Sequence, residues 1–281
     1  MVDREDVPSA IGINSATFNG ARIIGPAVAG IVIGAFDISI AFLINGLSFV
    51  AVLVAFAAMR ESELRPSPRV AAPTSLAGVR DSLADGLRYV RRSEVVLLAT
   101  VVVGFVSMFG MNFPVLIPAY ARDTLGVDAT GFGFLMAASG VGSLVAALAI
   151  AFAGRSRTAM IGLGALMLGV AEMFAGIVHV YSLALLAMAA VGFGAISMGA
   201  TGNTVIQLHV PDELRGRVMS VYTTVFVGAT PAGALIMGAV ASGFGADVAL
   251  ALGGAISAVV GGLAWMRLRT IRARRALAAA S

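Results

Sequence analysis

The feature that most restricts this chain is the spacing of its charges. Eight stretches, 10–35, 38–59, 95–119, 131–153, 158–178, 181–205, 218–243 and 246–266, are almost free of charged side chains. Each has about the 20 apolar residues that carry a helix across a bilayer. Only 12% of the chain is charged and 59% is hydrophobic, where a soluble domain carries about a quarter charged residues. So few charges cannot cover a water-facing surface, which excludes a cytosolic enzyme, a disordered chain and a nucleic-acid binder. The expected fold class is an all-α membrane protein with eight transmembrane helices. Thirty-four glycines suit membrane helices, where small residues let backbones approach. Cys is absent and His is limited to His179 and His209, so no disulfide framework, cysteine nucleophile, metal site or cofactor is expected. The charged N-terminus runs into a span longer than a signal core, so no cleavable signal peptide is expected.

Every basic residue is Arg, and the arginines alternate from one side to the other. One set of loops holds Arg4, the run from Arg60 to Arg92, Arg155 and Arg157, Arg215 and Arg217, and the tail from Arg267 to Arg275. The other set holds Arg122 beside Asp123 and Asp128, with Asp37, His179 and Asp247. Basic short loops resist translocation, which predicts a multi-pass plasma-membrane protein with both termini cytoplasmic. Within the longest loop, Arg65-Pro66-Ser67-Pro68 through Pro73 reads as an extended linker. Leu76, Val79, Leu83, Leu87 and Val90 then recur at helical spacing opposite Arg80, Asp81, Asp85, Arg88, Arg91 and Arg92. That pattern predicts an amphipathic helix at the cytoplasmic interface, an anchor before it is a lipid sensor.

The chain also repeats itself. A shift of 208 positions lays Phe18 on Phe226, Gly20 on Gly228, Ala21 on Ala229, Gly25 on Gly233 and Gly30 on Gly238. The same register lays Phe36 on Phe244, Ala41 on Ala249 and Gly46 on Gly254 without a gap. The first two spans thus read as a parallel copy of the last two, the relation between the two halves of major facilitator transporters.

Specific stretches carry a resemblance further. They are Asp6-Val7-Pro8-Ser9-Ala10 with Asn14-Ser15-Ala16-Thr17-Phe18-Asn19 and Ala21-Arg22-Ile23-Ile24-Gly25-Pro26-Ala27; Gly86-Leu87-Arg88-Tyr89-Val90-Arg91-Arg92; Asn112-Phe113-Pro114-Val115-Leu116-Ile117-Pro118; and Val210-Pro211-Asp212-Glu213-Leu214-Arg215-Gly216-Arg217-Val218-Met219-Ser220. With them the chain resembles a major facilitator superfamily transporter lacking its first four helices. More narrowly it resembles the bacterial exporter branch that includes enterobactin exporters and macrolide-efflux-like proteins. The resemblance implies helices five to twelve of twelve. Residues 1–59 would be the last two helices of the N-terminal half, 60–94 a cytoplasmic linker with the interfacial helix, and 95–281 a six-helix C-terminal half with a basic tail.

Candidate transport residues follow. Gly12, Ala21, Gly25-Pro26 and Ala29-Gly30 resemble the antiporter motif of helix five, with Ala at two Gly positions; ordinary helix packing explains them equally well. Arg22 lies deep in an apolar span at a cost of at least ~2.5 kcal/mol, so it is expected to face the interior or water. Asn19, Asn203 and Gln207 are amides that either line a path or join helices, as do Asn14 and Asn45. Asn112 with Pro114 and Pro118 marks a bend suited to gating. Glu172 is the one clear carboxylate within the other spans; it is a candidate protonation site, but six residues separate it from His179, which favours a carboxylate that snorkels or is structurally paired near the outer boundary. Arg155 and Arg157 resemble a degraded charged loop that lacks its usual Asp. Asp212, Glu213, Arg215 and Arg217 are candidates for salt bridges between halves.

The leading expectation is proton-motive-force-driven efflux of small hydrophobic or amphipathic molecules, drug-like or siderophore-like, by alternating access. Its partners are the lipid bilayer, a small-molecule substrate and protons. A membrane enzyme needs a cluster of catalytic side chains at one interface, and the sequence offers none. The alternative is a truncated, non-transporting fragment or a partner subunit, because alternating access needs two opposed halves. On that count the chain alone is expected not to transport, with Gly25, Gly30 and Gly34 left lipid-facing or misdocked.

Overall fold

A bilayer offers backbone groups no water, so apolar runs of this length satisfy their N–H and C=O groups internally as helices. A computed structural model describes residues 7–59, 76–153 and 158–278, and among these residues there is helix and no strand. The 65–73 linker, Arg155 and Arg157 lie outside the described residues, as do the side chains of Asn14, Asn19 and Arg22. The helices are α1 (Val7–Ala35), α2 (Ile38–Ala57), α3 (Leu76–Arg92), α4 (Glu94–Phe109), α5 (Phe113–Ala119), α6 (Ala129–Ala153), α7 (Ala159–Ile177), α8 (Tyr181–His209), α9 (Asp212–Phe244) and α10 (Ala246–Ala278). Among the described residues, seven helical segments are long and apolar enough to cross a membrane, and in α1 the described apolar stretch is the shorter Ile23–Ala35. The chain is a multi-pass membrane protein.

The span expected over 95–119 is not one helix. It begins as α4, breaks at Gly110–Asn112, resumes as α5 and ends in a π-helical turn, Tyr120–Thr124. The cause is local. Pro114 has no N–H to continue the ladder, and the backbone N–H groups of Gly110 and Met111 both return to the Val106 carbonyl, at 2.8 and 2.9 Å. The carbonyl of Met108 is satisfied by the side-chain amide of Asn112 at 2.8 Å. Elsewhere the breaks are conventional. Asp37 caps α2 by accepting the Ser39 N–H at 2.7 Å, and its hydrogen bonding with Ser39 holds the carboxyl below its usual range. Gly245 turns α9 into α10 at φ 101°, a backbone state that side chains with a Cβ resist. Helix α2 begins at Ile38 and α10 at Ala246, so the internal repeat carries through to the helix boundaries.

Neighbours follow a continuous order: α1 on α6, α6 on α8, α8 on α7, α7 on α10, α10 on α4, α4 on α9 and α9 on α3. Glycine sets the closest approach. On α7, Gly162, Gly169 and Gly176 recur every seven residues, and on α10 Gly254 and Gly261 do the same. A Cβ on Gly176 would lie 2.5 Å from the Asp247 carbonyl oxygen and 2.7 Å from the Ala251 nitrogen, and one on Gly254 would lie 2.6 Å from the Gly169 carbonyl oxygen. The two backbones are in contact along their lengths. Gly164 and Gly194 do the same for α7 and α8. Val96, Val103, Val106, Ile161, Leu168, Val191, Met198, Ile206 and Val218 fill the larger core cluster between these helices.

Helix α1 docks where the sequence led us to expect exposure. Gly30 is buried against α6, where a Cβ would lie 2.6 Å from the Ala129 carbonyl oxygen. Thr130 Oγ1 donates to the Gly30 carbonyl at 3.3 Å, and Gly34 packs on Thr130. Small residues on both helices provide that fit. Gly25 does remain open, with nothing within 4 Å of where its Cβ would be. Helix α2 packs on α1 and buries none of its residues.

Candidate functional site

The predicted site residues fall into separate places. Gly25 lies in an apolar groove of ≈ 660 Å³ between α1 and α2, with Thr17, Ala21, Asn45 and Ser48. Pro26 sits on the other side of α1, its carbonyl oxygen 2.5 Å from where a Gly133 Cβ would be. Asn19 and Arg22 belong to the same helix.

On α8, Asn203 and Gln207 are exposed, one turn apart, and the Gln207 amide donates to the Asn203 oxygen. On α9, Ser220, Thr223 and Thr224 line an open groove of ≈ 680 Å³ with Gly216 and Gly228. These residues form polar faces within the apolar parts of α8 and α9. Asn112 is buried at the break of the α4–α5 span, its Oδ1 without a hydrogen-bond partner, while Pro114 is exposed. Among the described residues, no hydrogen bond joins the α1, α8 and α4–α5 groups.

The charges near the α8–α9 turn form local links, and the described pairs do not run to α1 or α2. Arg217 pairs with Asp85 of α3 at 2.6 Å, and Asp85 also holds Arg88 at 2.8 Å. Arg215 pairs with Asp212 one turn earlier and donates to the Gln207 carbonyl at 3.1 Å. Glu213 is exposed beside them. Tyr89 Oη donates to the His209 carbonyl at 2.8 Å, and Arg267 meets Glu94 at 2.8 Å. Helix α3 is thereby fastened to the bundle through Gly86, Val90 and these polar contacts, with Leu83 and Leu87 left exposed. As exposed pairs, each contributes about 0–1 kcal/mol.

Glu172 is where the structure departs most from expectation. It is 2% exposed and its Oε2 has no hydrogen-bond partner, so it does not snorkel. It shares a face of α7 with Leu168, Gly169 and Gly176, and Gly254 of α10 lets the helices close over it. Its helical register with Gly169 and Gly176 was the signal in the sequence.

Residues 1–281, the whole chain, match the family described as transmembrane secretion effector, within the major facilitator superfamily. The chain belongs to that family. This secretion-effector-family chain is 29% identical over 242 residues to "Multidrug efflux pump Tap" of Mycolicibacterium fortuitum, which covers 84% of the chain and 57% of that protein. To the same-named pump of Mycobacterium tuberculosis (strain ATCC 25618 / H37Rv) it is 29% identical over 265 residues, 93% of the chain and 62% of that protein. To the uncharacterized MFS-type transporter YfiS of Bacillus subtilis (strain 168) it is 26% identical over 286 residues, 96% and 66%. The chain thus spans less than two thirds of the length of these relatives. The family and the names of its relatives are those of transporters and not of enzymes.

Proposed function

We propose that this family member is a proton-motive-force-driven exporter of small hydrophobic or amphipathic molecules, working by alternating access in a bacterial plasma membrane with both termini cytoplasmic. The names of the relatives support efflux. One structural observation supports the mechanism. Gly233 and Gly254, in the second copy of the repeat, meet backbone: a Cβ on Gly233 would lie 2.9 Å from the Met108 Cα of α4, and one on Gly254 2.6 Å from the Met173 nitrogen of α7. Their counterparts in the first copy, Gly25 and Gly46, have nothing within 4 Å. At Gly25 and Gly46, α1 and α2 therefore carry small residues of a packed pair with nothing packed on those faces, while α6 covers the Gly30 face of α1. That fits α1 and α2 as helices five and six of an opposed half, α3 as the linker helix, and α4 to α10 as helices seven to twelve.

In this reading the polar faces of α8 and α9, with Asn203 and Gln207, form one wall of the path. Arg22 and Asn19 contribute from the opposite half, Gly25-Pro26 supports closure, and the Asn112–Pro114 break supplies the bend. Arg155, Arg157, Asp212, Glu213, Arg215 and Arg217 bias one state from the cytoplasmic end. The open faces of α2 and α9 favour a working unit larger than these helices alone. They also favour the second reading, a subunit or fragment that transports nothing without its counterpart.

Inside-out vesicles from cells producing the chain test both. Dye accumulation above control vesicles that collapses with a protonophore supports the exporter. Accumulation indifferent to the protonophore overturns proton drive, and no accumulation favours the second reading.

A further inference from the structure

Deep in the bundle, five polar side chains among the described residues end in oxygens without partners: Ser107 of α4, Asn112 at the break, Glu172 of α7, Ser197 of α8 and Ser257 of α10. Two of them converge on one glycine. A Cβ on Gly110 would lie 3.1 Å from Glu172 Oε2 and 2.5 Å from Ser257 Oγ. Gly110 is the residue at which α4 stops.

Among the described residues, no compensating charge faces Glu172. From α10 it meets Gly254, and from the break Gly110, which Ser257 of α10 also approaches. Between Asp247 and Arg267, α10 has no ionisable residue, and α8 has none between Tyr181 and His209. In α4 the one ionisable residue is Glu94, at the far end and paired with Arg267. The titratable groups nearest along these elements are Asp247, Tyr120 and His179, and all lie toward or beyond the end of α7. Tyr120 is occupied in donating to the Ala175 and Val178 carbonyls, each at 2.7 Å. A buried carboxylate without a counter-ion costs several kcal/mol, so the neutral acid is the form that such a site holds. Intramembrane carboxyls of this kind mark proton relays or ion paths. The donor set decides between them: among the described residues no cluster of carboxylates or imidazoles stands with Glu172 to hold a cation, whereas a proton needs only the one carboxyl.

We propose that Glu172 is a proton-binding site of the bundle, taking one proton from water and returning it when the Gly110–Asn112 break opens, with the Ser257 hydroxyl as hydrogen-bond partner. The equilibrium is Glu–COOH to Glu–COO⁻ plus H⁺. Neither Glu172 Oε2 nor Ser257 Oγ is hydrogen-bonded in this structure; rotation of the two side chains toward each other lets the carboxyl donate to Ser257 Oγ in the acid form and the hydroxyl donate to the carboxylate in the ionised form. As a coupling site Glu172 rests on the proton-driven reading above; as a proton-binding site it does not.

Infrared difference spectroscopy of the purified 281-residue chain in lipid nanodiscs tests this without any substrate. At pH 7 solvent-exposed carboxyls are ionised. The expected result is a protonated-carboxyl C=O band at that pH. It is shifted by ¹³C-glutamate labelling of the wild type, absent in Glu172→Gln, moved in frequency by Ser257→Ala, and lost reversibly in alkali. No acid band at pH 7, a band that ignores the glutamate label, or a band abolished by sodium at constant pH overturns the proposal. The labelled wild type decides even where a variant does not fold. Band without gradient-driven dye flux counts against the exporter alone; flux without the band counts against Glu172 alone.

Discussion

Gly30 of α1 and Gly133 of α6 meet backbone to backbone: a Cβ on Gly30 would lie 2.9 Å from the Gly133 Cα, and one on Gly133 would lie 3.0 Å from the Gly30 Cα. This contact holds the first two helices to the rest of the molecule.

Because the chain has no cysteine, the contact is directly testable. A Cβ on Gly34 lies 3.7 Å from the Thr130 Cβ, inside the range of about 3.5–4.5 Å that a disulfide spans. The Gly34→Cys/Thr130→Cys pair should cross-link on mild oxidation, seen as a mobility shift on non-reducing gels. Adding Gly30→Val should sharply lower the yield by forcing the helices apart. Equal yields would show that α1 does not sit on α6.

Glycines of the same composition should differ by their surroundings. Gly254→Ala drives a methyl into the Gly169 carbonyl and should destabilise by about 1–3 kcal/mol, as overpacking does. Gly228→Ala, with nothing within 4 Å, should instead stabilise by about 0.5–1 kcal/mol through helix propensity. Thermal midpoints in detergent distinguish the two; a shift of the same sign for both would contradict the α7–α10 packing.

The Arg217–Asp85 pair is half-exposed on both sides. A double-mutant cycle of Arg217→Ala and Asp85→Ala should return a coupling of about 1 kcal/mol or less, shrinking with added salt. A salt-independent coupling of several kcal/mol would mean that α3 is buried more deeply in the membrane-embedded protein.

Topology has its own test. Reporter fusions after Arg92 and after Asp128 should report opposite sides of the membrane, with the Arg92 fusion cytoplasmic. The same side for both would break the alternation of spans from which the orientation was argued.

The spans were legible because burial in lipid imposes a length and a composition, and both are written locally. The break at Gly110–Asn112 was legible too, since Pro114 removes a donor wherever it stands. Pairings across the fold were not. Arg217 announces a positive charge in the sequence but not that its partner is Asp85 in α3, and we had assigned it to a contact between halves. Glu172 was misread because distance to the end of a helix says nothing about direction around it. Its place on the Gly169 and Gly176 face was written in the spacing. On α1, Gly25 and Pro26 were read by family resemblance and Arg22 and Asn19 as polar groups within an apolar span; the side chains of Arg22 and Asn19 lie outside the described residues.

The glycines of α7 and α10 repeat every seven residues on helices that turn every 3.6, a mismatch that a left-handed supercoil absorbs. Two helices at backbone contact along their lengths, each glycine seated on the other's backbone, resist sliding past each other. They travel as a single stiff strut. The neighbouring α4–α5 span, already interrupted at Gly110, is the compliant member of the trio. A push against that strut is therefore relieved at its weakest neighbour, beside the buried carboxyl of Glu172. The mechanical joint and the chemical group of this bundle occupy the same few ångströms.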